Sequence, residues 1–476
     1  MYDFSPSPEQ ERVVERVRAL MDELIYPNES QSEPHRGLPR ELLRSLQARV
    51  KAEGLWAAHL PKEAGGLGMG NVTLGLINEQ LGRSPIAPRV FGTSAPDTGN
   101  TEILWLAGTP EQKRKYLEPL VADEVRSCIA MTEPEVSGSD PTDLRTTAVW
   151  DGSAWVINGH KWFITGANGA AFAIVFAITD PDAPRHRRAS MFIVETDTPG
   201  YELVREVPVM GDHSLGGHCE LRFRNVRVPA DSMLGERGGG FALAQARLGP
   251  GRITHCMRWI GVAQRSFELM LGRALDRYSR GKPLAEFQTI QNWIADSAAE
   301  LHGFRLMTLH AAWKMDRGLD ARTEISMIKF VGARVLHDVL DRAIQVHGAL
   351  GFSQDSPLES WYREARAARI YDGPDEVHRM VVARQMLRAF AAARAQTLLE
   401  GAPATGGSPP PPAAAPADTR AHASPDDAAL SLAPPHDASA SPAYAGAPPG
   451  ADPAALAGRS AAPGSPAESA QRPETA

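Results

Sequence analysis

The sequence has little cysteine and no long apolar run. Its 476 residues include only Cys128, Cys219 and Cys256, which are too few and too scattered for a disulfide framework or a zinc site. Each is therefore predicted to be a small buried hydrophobe, and no metal is expected. No apolar stretch approaches the roughly 20 residues that a membrane-spanning helix needs. The sequence thus predicts no membrane span.

An excess of basic residues is also missing. Lys and Arg number 50 against 57 Asp and Glu, a formal net charge of −7. Residues 401–476 hold seven acidic side chains and three arginines, so the remainder carries about −3 with both signs mixed. This balance argues against a nucleic-acid partner. Because Asp3, Glu9 and Glu11 leave no basic, acid-poor presequence, a cytoplasmic location is expected.

The chain is too long for one ordinary core, and its patterns divide it into three domains and a tail. Residues 1–126 are predicted to form a helical domain, with helical patterns at 39–53 and 72–82. Ser7-Pro8-Glu9-Gln10 has the cap hydroxyl, the first-turn proline and the returning glutamine that begin a helix. The same order recurs at Thr109-Pro110-Glu111-Gln112.

The hydrophobic period changes near residue 127, and 127–232 are predicted to form a small β domain. Thr146–Val149 and Ala154–Ile157 are short β-rich runs joined by Asp151-Gly152, and Asn158-Gly159 predicts the next tight turn. Further strands are predicted at Phe163–Thr165, Phe172–Ile178, Met191–Val194 and Leu221–Val226.

Helical periodicity returns afterwards and persists to residue 398. Four long amphipathic helices with short links predict an antiparallel bundle over 233–398. Residues 399–476 are rich in Ala, Pro, Gly and Ser and are predicted to be disordered. The fold class is therefore α+β: an N-terminal helical domain, a central β domain, a C-terminal four-helix bundle and a disordered tail.

The stretch from Ile370 to Arg379 lies between two helical patterns, and Gly373-Pro374 makes it a turn. Such a turn can aim one carboxylate into a pocket and leave backbone N–H groups for an oxygen that gains charge, as proton abstraction beside a carbonyl requires. A solvated helix cap is the commoner use of an acidic turn, and both interpretations stay open on these residues alone.

Two other stretches can line a planar ligand. The irregular segment from Met131 to Asp140 offers small residues, hydroxyls and backbone N–H groups, but no dinucleotide fingerprint. In the run 162–165, strand alternation places Phe163 and Thr165 on one side and Trp162 and Ile164 on the other. An aromatic followed two residues later by a hydroxyl can flank a flavin ring, although core packing is the commoner role.

Taken together, these motifs resemble the acyl-CoA dehydrogenase family over residues 5–398. The resemblance rests on TEP at 132–134, GSD at 138–140, NGHKWFITGA at 158–167 and IYDG at 370–373. GLGMG at 66–70, GTPEQKRKYLEPL at 108–120 and IQVHGALGF at 344–352 agree with it. The resemblance implies FAD, dehydrogenation of an acyl-CoA to a trans-2-enoyl-CoA, an electron-transfer flavoprotein as acceptor, and a homodimer or homotetramer.

The resemblance also implies roles for individual residues. Asp372 stands where the family's commonest catalytic Glu lies, and Asp375 and Glu376 are weaker candidates. Some relatives carry the base on an earlier helix, at the position of Gly251, which has no carboxylate. The implied FAD contacts are Met131, Thr132, Gly138, Ser139, Phe163, Thr165, Arg277, Gln288, Gln345 and Gly348.

Three departures from the family pattern point to one branch. Asp is one methylene, about 1.5 Å, shorter than Glu, Arg280 replaces a usual aromatic, and the flavin-edge loop is one residue longer. SAPDTGN at 94–100 and GPDEVH at 373–378 resemble family members ten and eleven and their bacterial relatives. The candidate substrate contacts are Ser139, Arg252, His255, Arg258 and Tyr371.

That branch leaves the reaction open. Some of its members oxidise ordinary acyl-CoAs, while others process 4-phosphoacyl-CoA made by a separate kinase. Arg252, His255 and Arg258 recur every three residues, and such a row can hold an acyl-chain phosphate, the phosphates of CoA, or only solvent. A DNA-binding flavoprotein is a remote alternative, and the near-neutral core argues against it.

Overall fold

The computed structural model describes residues 6–33, 37–210 and 216–400. The tail predicted to be disordered, 399–476, lies outside the described residues apart from its first two, which end the last helix. No helix of the described part of the chain is both long enough and apolar enough to cross a membrane.

Short helices build the first domain, and the two predicted capping boxes begin two of them. Ser7 Oγ accepts from the Gln10 backbone N–H at 3.2 Å, and the Gln10 side chain accepts from Ser7 N–H at 2.8 Å. Thr109 and Gln112 repeat this exchange at 3.2 and 3.0 Å. The helices are α1 (Pro8–Leu20, continued by a π-helical turn at Met21–Ile25 and a 3₁₀ turn at Tyr26–Gln31), α2 (Arg40–Ala52), α3 (Gly70–Gly82), α4 (Ala87–Val90), α5 (Asp97–Ala107), α6 (Pro110–Gln112, continued by a π-helical turn at Lys113–Leu117) and α7 (Glu118–Val121), with a 3₁₀ turn at Lys62–Ala64.

The middle of the chain forms an eight-stranded sheet. Its strands are β1 (Ser127–Ala130), β2 (Thr147–Trp150), β3 (Trp155–Thr165), β4 (Phe172–Ile178), β5 (Ala189–Glu195), β6 (Tyr201–Glu206), β7 (His218–Val228) and β8 (Met233–Leu234). They are ordered β6-β7-β3-β2-β4-β5-β8, with β1 parallel to β4. The sequence did not predict β1, β6 or β8. Strand β1 is short and lacks alternation, and β6 is exposed almost throughout.

The predicted turn at Asn158-Gly159 is wrong. Both residues lie inside β3, where the register with β7 breaks between Ile157 and Gly159. A Cβ on Gly159 would lie 2.2 Å from Thr146 Oγ1, and the Asn158 side chain bonds the backbone N–H of Asn225 at 2.8 Å. Turn-forming residues here mark a β-bulge and a close approach of two strands, which the same residue types also favour.

A second bulge changes the predicted alternation at 162–165. The β3–β7 register shifts again between Lys161 and Ile164, and Phe163 has a φ of +52°. Phe163 is 43% exposed, whereas Lys161 and Ile164 are buried. The extra residue turns Phe163 outward, so simple alternation of faces does not hold through this segment.

The last domain is the predicted bundle of long helices. It comprises α8 (Gly240–Asp276), α9 (Gln288–Asp316), α10 (Arg322–His347), α11 (Ala349–Phe352), α12 (Pro357–Ala365), a 3₁₀ turn (Arg366–Arg369) and α13 (Asp375–Glu400), with a two-stranded ribbon β9 (Tyr278–Ser279) and β10 (Lys282–Pro283) between α8 and α9. Apolar side chains of α8, α9, α10 and α12 share one core. The residues between the 3₁₀ turn and α13 form the predicted turn around Gly373-Pro374.

Helix α8 also joins the bundle to the first domain through glycine contacts. A Cβ on Gly82 of α3 would lie 2.2 Å from the Arg258 carbonyl oxygen of α8. A Cβ on Gly261 of α8 would lie 2.2 Å from the Glu79 carbonyl oxygen of α3. Because both glycines lack side chains, the two backbones touch, and this contact determines which α8 residues face the N-terminal domain.

Candidate active site

The turn before α13 holds its acidic residue in a strained conformation. Asp372 has a φ of +54° and Gly373 a φ of +103°. A non-glycine residue in the left-handed region costs about 1–3 kcal/mol and persists only when its surroundings determine it. Arg252 Nε donates to the Asp372 carbonyl oxygen at 2.9 Å, and His378 Nε2 donates to the same oxygen at 3.1 Å. Two donors from different helices thus fix the backbone of the acidic residue.

Lys329 supports the same turn from α10. Its side chain is fully buried, and its Nζ donates to the carbonyl oxygens of Ala368 at 2.8 Å and Gly373 at 3.3 Å. The ammonium lies 5.1 and 5.2 Å from the ring centroids of Trp259 and Tyr371. Burial lowers the pKa of Lys329, although negative groups that include Asp372 oppose this. Sequence reasoning missed Lys329, yet a lysine on the apolar face of α10 is a readable signal.

The carboxylate of Asp372 faces His255 of α8. His255 Nε2 lies 3.3 Å from Asp372 Oδ2, and the two side chains are 24% and 22% exposed. Burial alone would raise the pKa of Asp372, but His255 and the cations Arg247, Arg252 and Lys329 lower it below its usual range. Asp372 is therefore an ionised carboxylate at neutral pH, within reach of a ligand.

The other predicted bases are occupied or point away. Asp375 is almost fully buried, and its carboxylate accepts from Arg369 Nε at 2.8 Å and lies 3.6 Å from Arg379. Glu376 is exposed on the surface of α13. Gly251 has no carboxylate. Asp372 is the member of this group whose carboxylate is 22% exposed and faces a histidine rather than an arginine.

The predicted row on α8 divides among different partners. Arg252 bonds the backbone of the turn, and His255 faces its carboxylate. Arg258 instead donates to Asn78 Oδ1 at 2.8 Å and to the Thr93 carbonyl oxygen, both in the N-terminal domain. The spacing alone left open whether the three residues bind an acyl-chain phosphate, the phosphates of CoA or only solvent. Because the direction of side chains rotates along the helix, the polar groups of His255 and Arg258 face different neighbours.

Tyr371 packs against His255, beside Asp372. Its hydroxyl accepts from Trp259 Nε1 at 2.8 Å, and its ring lies 5.3 Å from the ring of His255. Ser139, the other predicted substrate contact, lies in the loop before β2, and its hydroxyl is 2.7 Å from that of Ser137. The sequence did not predict that Trp259 would hold Tyr371, because the two residues are far apart along the chain.

A half-buried arginine extends the site toward α5. Arg247 lies against Gly99, where a Cβ would come within 2.4 Å of Arg247 Nε. That Nε has no hydrogen-bond partner among the described residues, and an Nη reaches the Pro96 carbonyl oxygen only at 3.5 Å. Glu102 of α5 is close by, and burial raises its pKa to about 7 against the opposing charge of Arg247. Neither residue stood out in the sequence.

The loop that resembles a flavin edge is held from below by a buried ion pair. Lys161 Nζ donates to the Met131 carbonyl oxygen at 2.9 Å and to Glu133 Oε1 at 2.8 Å. Glu133 also accepts from the backbone N–H groups of Arg145 and Thr146 at 2.6 and 3.0 Å. Burial lowers the pKa of Lys161 to about 8, despite the opposing effect of Glu133. The lysine is still a cation at pH 7.

The residues next to this ion pair offer a surface that fits a planar polar ring. Phe163 is exposed beside Trp162, and their ring centroids are 4.8 Å apart. The backbone N–H of Trp162 donates to the Thr132 carbonyl oxygen at 3.0 Å. A Cβ on Gly138 would lie 2.9 Å from Thr132 Cγ2, so the loop closes tightly there. Thr165 Oγ1 lies 3.0 Å from His218 Nδ1. An exposed aromatic face beside a fixed polar loop fits a flavin.

The remaining predicted cofactor contacts lie elsewhere in the chain. Arg277 follows α8, Gln288 begins α9, and Gln345 and Gly348 are at the end of α10, all exposed at one end of the antiparallel bundle. The β domain packs instead at the start of α8, where Phe241 contacts His186 at 4.6 Å between ring centroids. Helix α8 has 37 residues, which is about 55 Å at 1.5 Å per residue. One chain therefore does not bring the two sets together.

The chain folds into a helical domain, a β domain and a second helical domain. Asp372 lies in the turn before α13, and the ring of Phe163 is exposed on the β domain. This is the architecture of a flavoprotein dehydrogenase.

Comparison with known families agrees with this class. The family description "Acyl-CoA dehydrogenase, N-terminal domain" matches residues 7–124, the middle-domain description matches 128–226 and the C-terminal description matches 238–387. The chain belongs to the acyl-CoA dehydrogenase family and is an oxidoreductase. The predicted family and fold class are confirmed.

Curated relatives place the chain in the expected branch. It is 46% identical over 351 residues to acyl-CoA dehydrogenase FadE2 of Mycobacterium tuberculosis, covering 73% of this chain and 86% of that protein. It is 41% identical over 402 residues to acyl-CoA dehydrogenase family member 11 of Mus musculus, covering 81% of this chain and 51% of that protein. The chain thus spans about half the length of the mouse relative.

Solved structures share the fold. One described as an acyl-CoA dehydrogenase from Mycobacterium abscessus matches with a TM-score of 0.77 and 42% identity, over 81% of this chain and 100% of that one. The FAD complex of PigA matches with a TM-score of 0.72 and 26% identity, over 81% and 99% of the two chains.

Proposed function

We propose that this chain is an FAD-dependent dehydrogenase of an acyl-CoA thioester and that Asp372 is its base. The observation that carries the proposal is the ionised, 22% exposed Asp372 carboxylate, in a turn whose backbone carbonyl groups accept from α8, α10 and α13. FAD is the cofactor, and when bound it accepts the hydride that leaves the β-carbon. The product is a trans-2-enoyl-CoA, and an electron-transfer flavoprotein takes the electrons onward.

The strained turn supplies two functions for this reaction. The Asp372 carboxylate takes the α-proton, and its depressed pKa keeps it ionised across the neutral range. The Asp372 backbone N–H donates to no acceptor among the described residues, so it is available to the thioester oxygen as that oxygen gains negative charge. Because Asp is shorter than Glu, the left-handed turn must bring the backbone itself closer to the α-carbon.

The cofactor site is divided between copies of the chain. Met131, Thr132, Gly138, Ser139, Phe163 and Thr165 form the flavin edge, while Arg277, Gln288, Gln345 and Gly348 lie at the far end of the bundle. A homodimer that brings the end of one bundle to the β domain of its partner completes the site, and a tetramer contains two such pairs.

Anaerobic mixing of the yellow protein with a panel of acyl-CoA thioesters tests the assignment. Asp372→Asn should retain FAD and acyl-CoA binding but lose flavin bleaching by about 100- to 10,000-fold, the usual contribution of a general base. Glu376→Gln, four residues along and exposed, is the matched control and should bleach normally. Near-normal bleaching by Asp372→Asn would remove Asp372 from the mechanism.

A second candidate function is supported by Arg247. Its guanidinium interacts electrostatically with Asp372, and its Nε has no hydrogen-bond partner among the described residues, which suits a phosphate on the acyl chain. Processing of a 4-phosphoacyl-CoA on the same fold would use this cation. Arg247→Gln should then abolish phosphate release from 4-phosphopentanoyl-CoA while bleaching by unsubstituted acyl-CoA persists. Absence of phosphate release from the unaltered protein would exclude this function.

A further inference from the structure

His255 lies next to the proposed base, at an ion-pair distance at which the two side chains do not yet form a hydrogen bond. Its Nε2 lies 3.3 Å from Asp372 Oδ2, whereas the other two members of its row, Arg252 and Arg258, bond backbone and amide oxygens. The ring itself is held in place, because it lies 5.3 Å from the ring of Tyr371, whose hydroxyl is fixed by Trp259. Because the His255 ring is held in place, it limits the rotation of the neighbouring Asp372 carboxylate.

We propose that His255 is a positioning residue, which donates its Nε2–H to Asp372 Oδ2 and directs Oδ1 at the α-carbon of the substrate. The inference rests on the proposed role of Asp372 as the base. The 3.3 Å separation is longer than a charge-assisted hydrogen bond of about 2.7–2.9 Å. Catalytic contacts of this kind tighten when substrate fills the site.

The groups around His255 keep its ring neutral at neutral pH. Arg247 and Arg258 act on it from its own helix, Lys329 from α10, and Tyr371 and Asp372 from the turn. Arg252 of α8 and His378 of α13 both bond the carbonyl oxygen of Asp372. Burial, reinforced by three of these cations, lowers the pKa of His255 to about 4, against the opposing effect of Asp372. A neutral ring beside a carboxylate acceptor carries its proton on Nε2.

In the proposed proton transfer, His255 gains no charge. The α-carbon loses its proton to Asp372 Oδ1, and the electron pair of that C–H bond enters the new C=C bond. The β-hydrogen leaves with its own electron pair as hydride, for which FAD, the cofactor of the proposed function, would be the acceptor. Asp372 becomes a neutral acid, and His255 stays neutral throughout. The hydrogen bond to Oδ2 favours the ionised base, so it sets the pH at which Asp372 becomes competent.

Two substitutions separate positioning from a merely structural role. His255→Leu removes the donor, whereas His255→Gln keeps an N–H donor that does not titrate. The same change at an exposed histidine of α9, His302→Leu, is the matched control. FAD content and melting temperature are recorded for all variants, so that a folding defect is recognised.

The first readout is the rate of anaerobic flavin bleaching against pH. The second is exchange of the substrate α-proton with D2O, read by mass spectrometry, which reports the base without flavin reduction. Loss of a hydrogen bond to a charged group predicts that His255→Leu slows both by about 10- to 100-fold. The pH at which activity appears should rise by about one to two units. His255→Gln should recover most of both rates and show no upward shift.

The outcomes distinguish this inference from the proposed function. Unchanged exchange and an unchanged pH profile in His255→Leu, with Asp372→Asn inactive, would overturn the positioning role and leave the base intact. Full activity of Asp372→Asn would overturn both. A rise only in the dissociation constant for acyl-CoA, with no change in the pH profile, would make His255 a substrate contact and also overturn the inference. Failure of His255→Gln to recover activity has the same meaning.

Discussion

The buried pair of Lys161 and Glu133 gives the sharpest test of how the β domain supports the cofactor edge. The two side chains are 0% and 1% exposed, and the lysine also holds the carbonyl of Met131. Lys161→Met leaves the Glu133 charge buried with only backbone N–H groups from 145 and 146 as donors. It also frees the Met131 carbonyl, which begins the loop that carries Thr132.

The size of the effect follows from burial. Breaking a buried ion pair by removing one partner costs about 3–5 kcal/mol. If about 390 residues unfold together with an entropy of roughly 2.1 cal/mol/K per residue, this lowers the melting temperature by about 4–6 °C, and by more if the β domain unfolds first. The FAD dissociation constant should rise at least about tenfold, since the loop proposed to contact the flavin ring loses the hydrogen bond that holds it.

The assay is thermal unfolding followed by intrinsic and flavin fluorescence, with FAD affinity measured by titration of the apoprotein. Lys115→Met is the matched control, because Lys115 and Glu195 form a 2.6 Å pair with side chains 62% and 42% exposed. Such an exposed pair contributes about 0–1 kcal/mol. Replacing both buried residues, in Lys161→Met with Glu133→Gln, should recover part of the stability. A melting temperature and FAD affinity equal to those of Lys115→Met would refute the reasoning.

Three further predictions concern the turn, a helix contact and acid stability. Lys329→Met removes a donor from the turn that carries Asp372 and should slow flavin bleaching about tenfold with FAD retained, as stopped-flow absorbance would show. Gly82→Ala adds a Cβ against the backbone of α8 and should destabilise by about 1–3 kcal/mol or more in denaturant unfolding, whereas Gly303→Ala, where a Cβ meets nothing within 4 Å, should stabilise by about 0.5–1 kcal/mol. Burial lowers the pKa of His59 to about 3, so the unfolded chain binds the extra proton between pH 3 and 6.5. Stability should therefore fall as pH drops below 6.5, and His59→Gln should flatten the melting temperature against pH.

The cation Lys329 shows why part of the site escaped prediction. Its place on an apolar face of α10 is visible in the sequence, but its acceptors lie 39 and 44 residues further along the chain. The partner of Arg252 is 120 residues away, and that of Arg258 is 180 residues away. Residue spacing predicts contacts within one helical turn, but it does not predict contacts between residues that are far apart in the sequence.

The bulges in β3 show the same limit in the sheet. Asn158-Gly159 and the run at 162–165 were interpreted by local rules, as a turn and as plain alternation. Whether such residues turn or bulge depends on the strand that lies opposite, here β7 with Asn225 at a φ of +53°. The outward position of Phe163 follows from that pairing.

The amino-acid sequence alone determined the elements whose causes lie within three or four residues. The capping boxes at Ser7 and Thr109, the change from helical to strand periodicity near 127 and its return, and the turn at Gly373-Pro374 are of this kind. Motif order was enough to indicate the family and to choose Asp372 over Gly251. Only the tertiary structure decided what holds the turn of Asp372, which neighbour His255 faces, and that the two sets of predicted cofactor contacts lie apart in one chain. Those properties arise from charges and backbones brought together by packing, and packing joins residues that the sequence keeps far apart.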